Sequence, residues 1–130
     1  MAQGEREKRK YERIYFSPEE KINGLFVFPD FGQLSFAAPV LDLSLGGLHF
    51  SLKREELHAI EMGCSLILSE LRMDSTILSD KPISLVVRWM LNHPAVSNVS
   101  LGCEFQSFPD ESRQAVEEFI VKKLALCRKF

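Results

Sequence analysis

Arg9 and Arg13 stand four residues apart, flanked by Arg6 and Lys10, near the start of a chain of 130 residues. A guanidinium is planar, permanently charged and forked, so it can bond bidentately to a phosphate or to guanine O6 and N7, and it can stack on a purine face. Two or three of them on one short segment can converge on a single small anion. Charged helix ends often show the same spacing, so the pair needs a counterpart elsewhere. Asp42-Leu43-Ser44-Leu45-Gly46-Gly47 supplies one. Residues two apart in an extended segment project from one face, which groups Asp42 with Ser44 and turns Leu43 and Leu45 to the interior. A carboxylate accepts from N–H donors such as those of guanine, a hydroxyl adds a further polar contact, and Gly46 and Gly47 let a backbone approach a ligand closely. The same six residues also fit a β-hairpin with a Gly-Gly turn and incidental polar groups.

Other chemistry finds less support. Ser44 lacks the Gly-x-Ser-x-Gly elbow of a hydrolase nucleophile, and no enzymatic activity is expected. His49, His58 and His93 have no Cys or His partner at zinc-site spacing, so no metal centre is expected. Cys64, Cys103 and Cys127 are odd in number and sit in apolar surroundings, the pattern of reduced, buried thiols. Trp89 falls among the apolar positions of its segment and is expected in the core.

The elements that must position these groups read as short apolar segments broken by Gly, Pro, Asp and Asn. Strands are expected over Leu25 to Phe28, Gln33 to Leu43, Leu48 to Leu52 and Cys64 to Leu71, with two helical turns over Lys53 to Ile60. Phe26 and Phe28 fall opposite Leu25 and Val27, which would leave aromatic surface for a helix, a ligand or a partner. Ile83, Leu85, Val87, Trp89 and Leu91 are apolar at period two, as a core-facing side requires, and Val99, Leu101, Cys103 and Phe105 repeat the pattern after a turn at Asn92 to Asn98. After Pro109 the period becomes helical, with Val116, Phe119, Ile120 and Leu124 on one stripe. About six strands, one amphipathic helix and no βαβ rhythm predict an all-β-dominated antiparallel barrel or sandwich with the helix over an open end.

Composition agrees with a globular domain: 45% apolar, 26% charged, and no apolar run near the roughly 18 residues that cross a bilayer. No membrane insertion is expected. Met1 to Arg13 is polar and lacks the apolar core of a secretory signal, which predicts a cytoplasmic protein. The net charge of −2 speaks against a general nucleic-acid binder, but it divides unevenly, with +2 over residues 4–13 and −4 on the rest. The chain is thus read as a basic, flexible arm over residues 1–20 and a barrel with its terminal helix over residues 21–130.

The order and spacing of the two elements, 29 residues from Arg13 to Asp42, resemble the PilZ domain, a bacterial family that binds cyclic di-GMP. In that family an arginine pair four residues apart precedes the barrel, and an Asp/Asn-x-Ser-x-x-Gly motif lies on it. Arg9, Arg13, Asp42, Ser44 and Gly47 match. Val87-Arg88-Trp89 and Leu101-Gly102-Cys103-Glu104-Phe105 resemble the family's late strands, so the likeness covers about residues 6–127. One departure is Lys8, where many members carry another arginine, which leaves one or two ligand molecules open. The resemblance implies a six-stranded antiparallel β-barrel with a C-terminal amphipathic α-helix and no cofactor. It implies a cyclic di-GMP sensor or adaptor in second-messenger signalling, passing its signal to a downstream protein partner. Arg9 and Arg13 would hold phosphate and guanine edges, Asp42 would accept from guanine, Ser44 would add a contact and Gly47 would give clearance, with Arg6, Lys10 and Gly46 in support. A second expectation keeps the barrel as a protein–protein interaction module that binds no nucleotide.

Overall fold

The computed structural model describes residues 12–29, 34–57, 60–74, 76–92, 95 and 97–128. Arg6, Arg9 and Lys10 lie outside these residues. Among the described residues, eight strands and one α-helix follow in order: β1 (Ile14–Tyr15), β2 (Ile22–Val27), β3 (Ser35–Leu43), β4 (Gly47–Lys53), β5 (Ser65–Met73), β6 (Thr76–Ser79), β7 (Ile83–Leu91), β8 (Asn98–Ser107) and α1 (Asp110–Arg128). Six of the strands close a ring, β2–β3–β4–β8–β7–β5 and back to β2, with every pairing antiparallel. Closure leaves no unpaired edge around the barrel.

The two short strands attach where a longer neighbour has ended. On β3, β2 pairs with Ser35 to Pro39, and β1 then takes Asp42 and Leu43. The amide of Phe16 continues that ladder to the carbonyl of Leu41 at 2.9 Å. β6 turns back onto the last three residues of β5, after a bend at Asp74 with φ 57°. The chain is therefore docked on the barrel from Ile14, which is buried.

Alternation decides which side chains fill the barrel. Ile22, Gly24, Phe26 and Phe28 point inward, while Asn23 and Leu25 stay exposed. Phe26 and Phe28 are thus core residues rather than aromatic surface, because the inward phase of β2 begins at Ile22. Phe26 lies 4.4 Å from Phe50 and 5.2 Å from Phe36, centroid to centroid, an offset cluster at the centre of the barrel. Burying an aromatic ring of this size is worth about 2 to 3 kcal/mol, so these three rings are principal contributors to the core. On β7 the inward series holds at Ile83, Leu85 and Val87, then breaks. Val87 faces Cys103 but Trp89 faces the very next residue, Gly102, so Arg88 is an inserted residue and the strand changes phase. Trp89 and Leu91, expected in the core, are exposed as a result. Of the two helical turns expected over Lys53 to Ile60, the described residues form one 3-10 turn, Arg54–Glu56.

Helix α1 carries the stripe its periodicity predicts: Val116 and Ile120 are buried in the common core, and Phe119 and Leu124 pack against it. Asp110 and Glu111 in its first turn complement the helix dipole. Its far end rests on the segment around β1. Phe119 meets Phe16 at 6.0 Å between centroids, and Lys123 pairs with Glu20 while sitting 5.8 Å from the Phe16 ring centre.

Candidate functional site

The hairpin between β3 and β4 is built from its own side chains. The amide of Ser44 donates to the carbonyl of Gly47 at 2.9 Å, leaving only Leu45 and Gly46 in the turn. The Ser44 hydroxyl accepts from the Gly46 amide at 3.1 Å and lies 3.5 Å from the Gly47 carbonyl. That hydroxyl is buried and committed to the turn, which it stabilises as serine does in local side-chain-to-backbone motifs. Gly47 has a different reason to be glycine. A β-carbon there would meet the Cys103 carbonyl oxygen at 2.0 Å, so its missing side chain allows the close approach of β8. The carbonyl of Gly46 is likewise taken, by the Phe105 amide at 2.9 Å.

Outside the barrel, the register lines up one residue from each of five strands. Tyr15 faces Asp42, Asp42 faces His49, His49 faces Gly102, and Gly102 faces Trp89. Asp42 is outward, as the spacing predicts, yet only 5% exposed, because Arg13 and His49 cover it. Its Oδ2 is hydrogen-bonded to His49 Nδ1. Its Oδ1 is buried, has no hydrogen-bond partner among the described residues and lies 3.7 Å from Arg13 Nε. The His49 ring sits 4.5 Å from the Trp89 indole, tilted at 59°. Both lie over Gly102, where a β-carbon would come within 2.2 Å of Trp89 Nε1 and 2.8 Å of His49 Cδ2. Glycine at 102 is thus what lets the indole lie down across β8.

Beside this row opens a cleft of about 960 Å³, of the size that takes a small-molecule ligand. Its lining combines the guanidiniums of Arg13, Arg88 and Arg113 with the rings of Trp89, Phe105 and Phe108, against the single carboxylate of Glu104. The cleft is therefore cationic on a chain whose net charge is −2. Arg88 holds Glu104 through Nε at 2.8 Å and Nη2 at 2.7 Å, both side chains more than half exposed. An exposed pair of this kind adds at most about 1 kcal/mol, so Arg88 can exchange it for an incoming anion at little cost. Arg113 sits 5.8 Å from the centre of the Phe108 ring. Cys103, on the cleft floor, has its thiol pushed up to about 12 by burial and, secondarily, by the neighbouring Cys64. Burial thus favours the neutral thiol, which packs in the core.

Arg13, Ser44, Gly46 and Gly47 line the cleft, Asp42 lies behind it against Arg13 and His49, and Arg6, Arg9 and Lys10 lie outside the described residues. Sequence reasoning overlooked His49, Trp89, Arg88 and Arg113. The register that pairs His49 with Asp42 depends on a bulge between Val40 and Asp42, and the exposure of Trp89 on the bulge at Arg88. Neither bulge has a local sequence signal. Among the described residues, no three His, Cys, Asp or Glu side chains gather as a metal site, and no helix is long and apolar enough to cross a membrane.

A closed antiparallel barrel that displays an arginine-lined, aromatic-walled cleft beside a buried carboxylate defines a ligand-binding module. The PilZ domain matches residues 7–122, and the chain belongs to that family. Comparison with curated proteins gives no match. Among solved structures, the chain is similar to MrkH of K. pneumonia in its c-di-GMP complex, at 14% identity and a TM-score of 0.71, over 93% of this chain and 54% of that one. It is similar to the PilZ domain of YcgR from Escherichia coli with c-di-GMP, at 12% identity and a TM-score of 0.67, over 94% and 95%. The Bacillus subtilis inhibitor of motility MotI/DgrA gives 18% and 0.65, over 90% and 51%. The chain thus spans about half the length of MrkH and MotI/DgrA and nearly all of the single YcgR domain.

Proposed function

We propose that this chain is a cyclic di-GMP-binding adaptor of bacterial second-messenger signalling, whose binding site is the arginine-lined cleft beside Asp42. The observation that carries this reading is the 3.7 Å approach of Arg13 to Asp42, which joins two elements 29 residues apart in sequence. Membership of the PilZ family supports it, as do the c-di-GMP complexes of MrkH and the YcgR domain. Arg13 and Arg9, with Arg6 and Lys10 in support, hold phosphate and guanine edges. Asp42 Oδ1, buried beside Arg13 and unpartnered among the described residues, accepts from guanine N–H groups once the ligand draws Arg13 onto itself. Trp89 offers an indole face 40% exposed at the cleft for a purine to stack on, with Arg88 and Arg113 nearby for phosphate.

Ser44 and Gly47 serve by holding the hairpin that presents Asp42. The basic residues that precede Ile14 act as an arm that the dianionic ligand draws against the barrel, while residues 14–20 of the expected arm are already docked there by β1, Phe16 and Glu20. The chain works in the cytoplasm, catalyses no reaction, and passes its bound state to a protein partner.

Calorimetric titration with cyclic di-GMP, with GMP as control, tests the assignment. Saturable binding of the dinucleotide is expected, and Arg13→Ala should weaken it by about 1 to 3 kcal/mol, the worth of one bidentate arginine contact to guanine. No heat of binding from the wild-type chain would remove the proposal.

A further inference from the structure

We infer that His49 is a positioning residue that ties the Asp42 carboxylate and the Trp89 indole into one unit across strands β3, β4, β8 and β7. His49 lies in the middle of the cross-strand row and touches Asp42 on one side and, across Gly102, Trp89 on the other. Its Nδ1 bonds Asp42 Oδ2, and its ring packs at 4.5 Å on Trp89. Asp42 is buried at 7% side-chain exposure and His49 at 15%, so the bond is screened little by water. With Oδ2 held by the imidazole, the carboxylate can rotate little, and Oδ1 is left buried beside Arg13 with no hydrogen-bond partner among the described residues. The same imidazole packs against the indole, and Gly102 beneath gives the two rings a common floor. A carboxylate and an aromatic plane on separate strands are thereby set at a fixed separation, which is what simultaneous edge-bonding and stacking of one purine requires.

Trp89 is the sole tryptophan, so its emission reports this coupling in the ligand-free protein. Asp42→Ala should shift Trp89 emission although no contact joins Asp42 to the indole, and should leave it unmoved in a His49→Phe background. Emission unchanged by Asp42→Ala in the otherwise wild-type chain overturns the inference, and this arm does not depend on what the cleft binds.

The binding arm rests on the proposed cyclic di-GMP site. His49→Phe keeps a ring against Trp89 but loses the donor to Asp42, and should weaken cyclic di-GMP binding about tenfold, as loss of a hydrogen bond to a charged group does. His49→Asn restores a donor near Nδ1 and should recover most of the affinity. The double variant Asp42→Ala/His49→Phe should bind no worse than Asp42→Ala alone, since His49 acts through Asp42. Thermal midpoints of the variants separate loss of fold from loss of site. Wild-type affinity in His49→Phe, or additive losses in the double variant, overturns the positioning role. A wild-type chain that binds no cyclic di-GMP refutes the proposed function instead and leaves the emission result to decide on the row.

Discussion

A methyl group at position 47 would sit 2.0 Å from the Cys103 carbonyl oxygen and 3.2 Å from Glu104 Cα, both main-chain atoms of a paired strand. Neither can swing aside as a side-chain tip could, so Gly47→Ala must push β4 away from β8. Overpacking of this kind costs about 1 to 3 kcal/mol, and a chemical denaturation curve of Gly47→Ala should show a loss at the upper end of that range. Wild-type stability in that variant would mean the hairpin has slack the packing does not show. At this scale the letters of the motif were legible while two of their roles were not. Ser44 and Gly47 read as ligand contacts because a serine and a glycine suit one, yet the hydroxyl closes the turn and the missing side chain admits β8. Spacing tells which residues share a face but not which main chain crosses it.

Among the elements, α1 and the segment around β1 form a joined pair whose strength should vary with pH. Burial alone would raise the Glu20 carboxyl. The Lys123 hydrogen bond and charge, with the Ser17 amide and hydroxyl, outweigh burial and bring it below its ordinary value of 4.5. A carboxyl lowered in the folded state contributes stability above its unfolded pKa and loses it as pH falls through the folded one. The difference in thermal midpoint between wild type and Lys123→Met should therefore be full near about pH 6 and shrink towards about pH 3. A difference constant over that range would mean the ion pair does not support the docked helix.

The helix itself was plain in sequence, since Val116, Phe119, Ile120 and Leu124 repeat at its period. So were most strands of the ring. The two short strands β1 and β6 were not, because two to four residues carry too little alternation to stand out. The phase change in β7 was also hidden. All five odd positions from Ile83 to Leu91 are apolar, and only the pairing with β8 reveals that Arg88 is the inserted residue.

For the molecule as a whole, a ligand that binds only the folded chain stabilises it in proportion to its affinity. Cyclic di-GMP at about a hundred times its Kd should add about 2.7 kcal/mol to the unfolding free energy, read as a rise in thermal midpoint. A tenfold weaker Arg13→Ala should lose about half of that increment at the same concentration. Equal rises in both proteins would separate Arg13 from the ligand, whatever its distance from Asp42.

The sequence by itself determined the class of fold and the helix, because alternation and periodicity are local properties of the chain, and its resemblance to the PilZ family implied that the arginines and Asp42 belong to one site. Only the tertiary structure decided that His49 stands between Asp42 and Trp89, and that the indole faces the cleft. Those relations arise from the register of β3 on β4 and of β7 on β8, where one extra residue in a strand turns every later side chain to the opposite face.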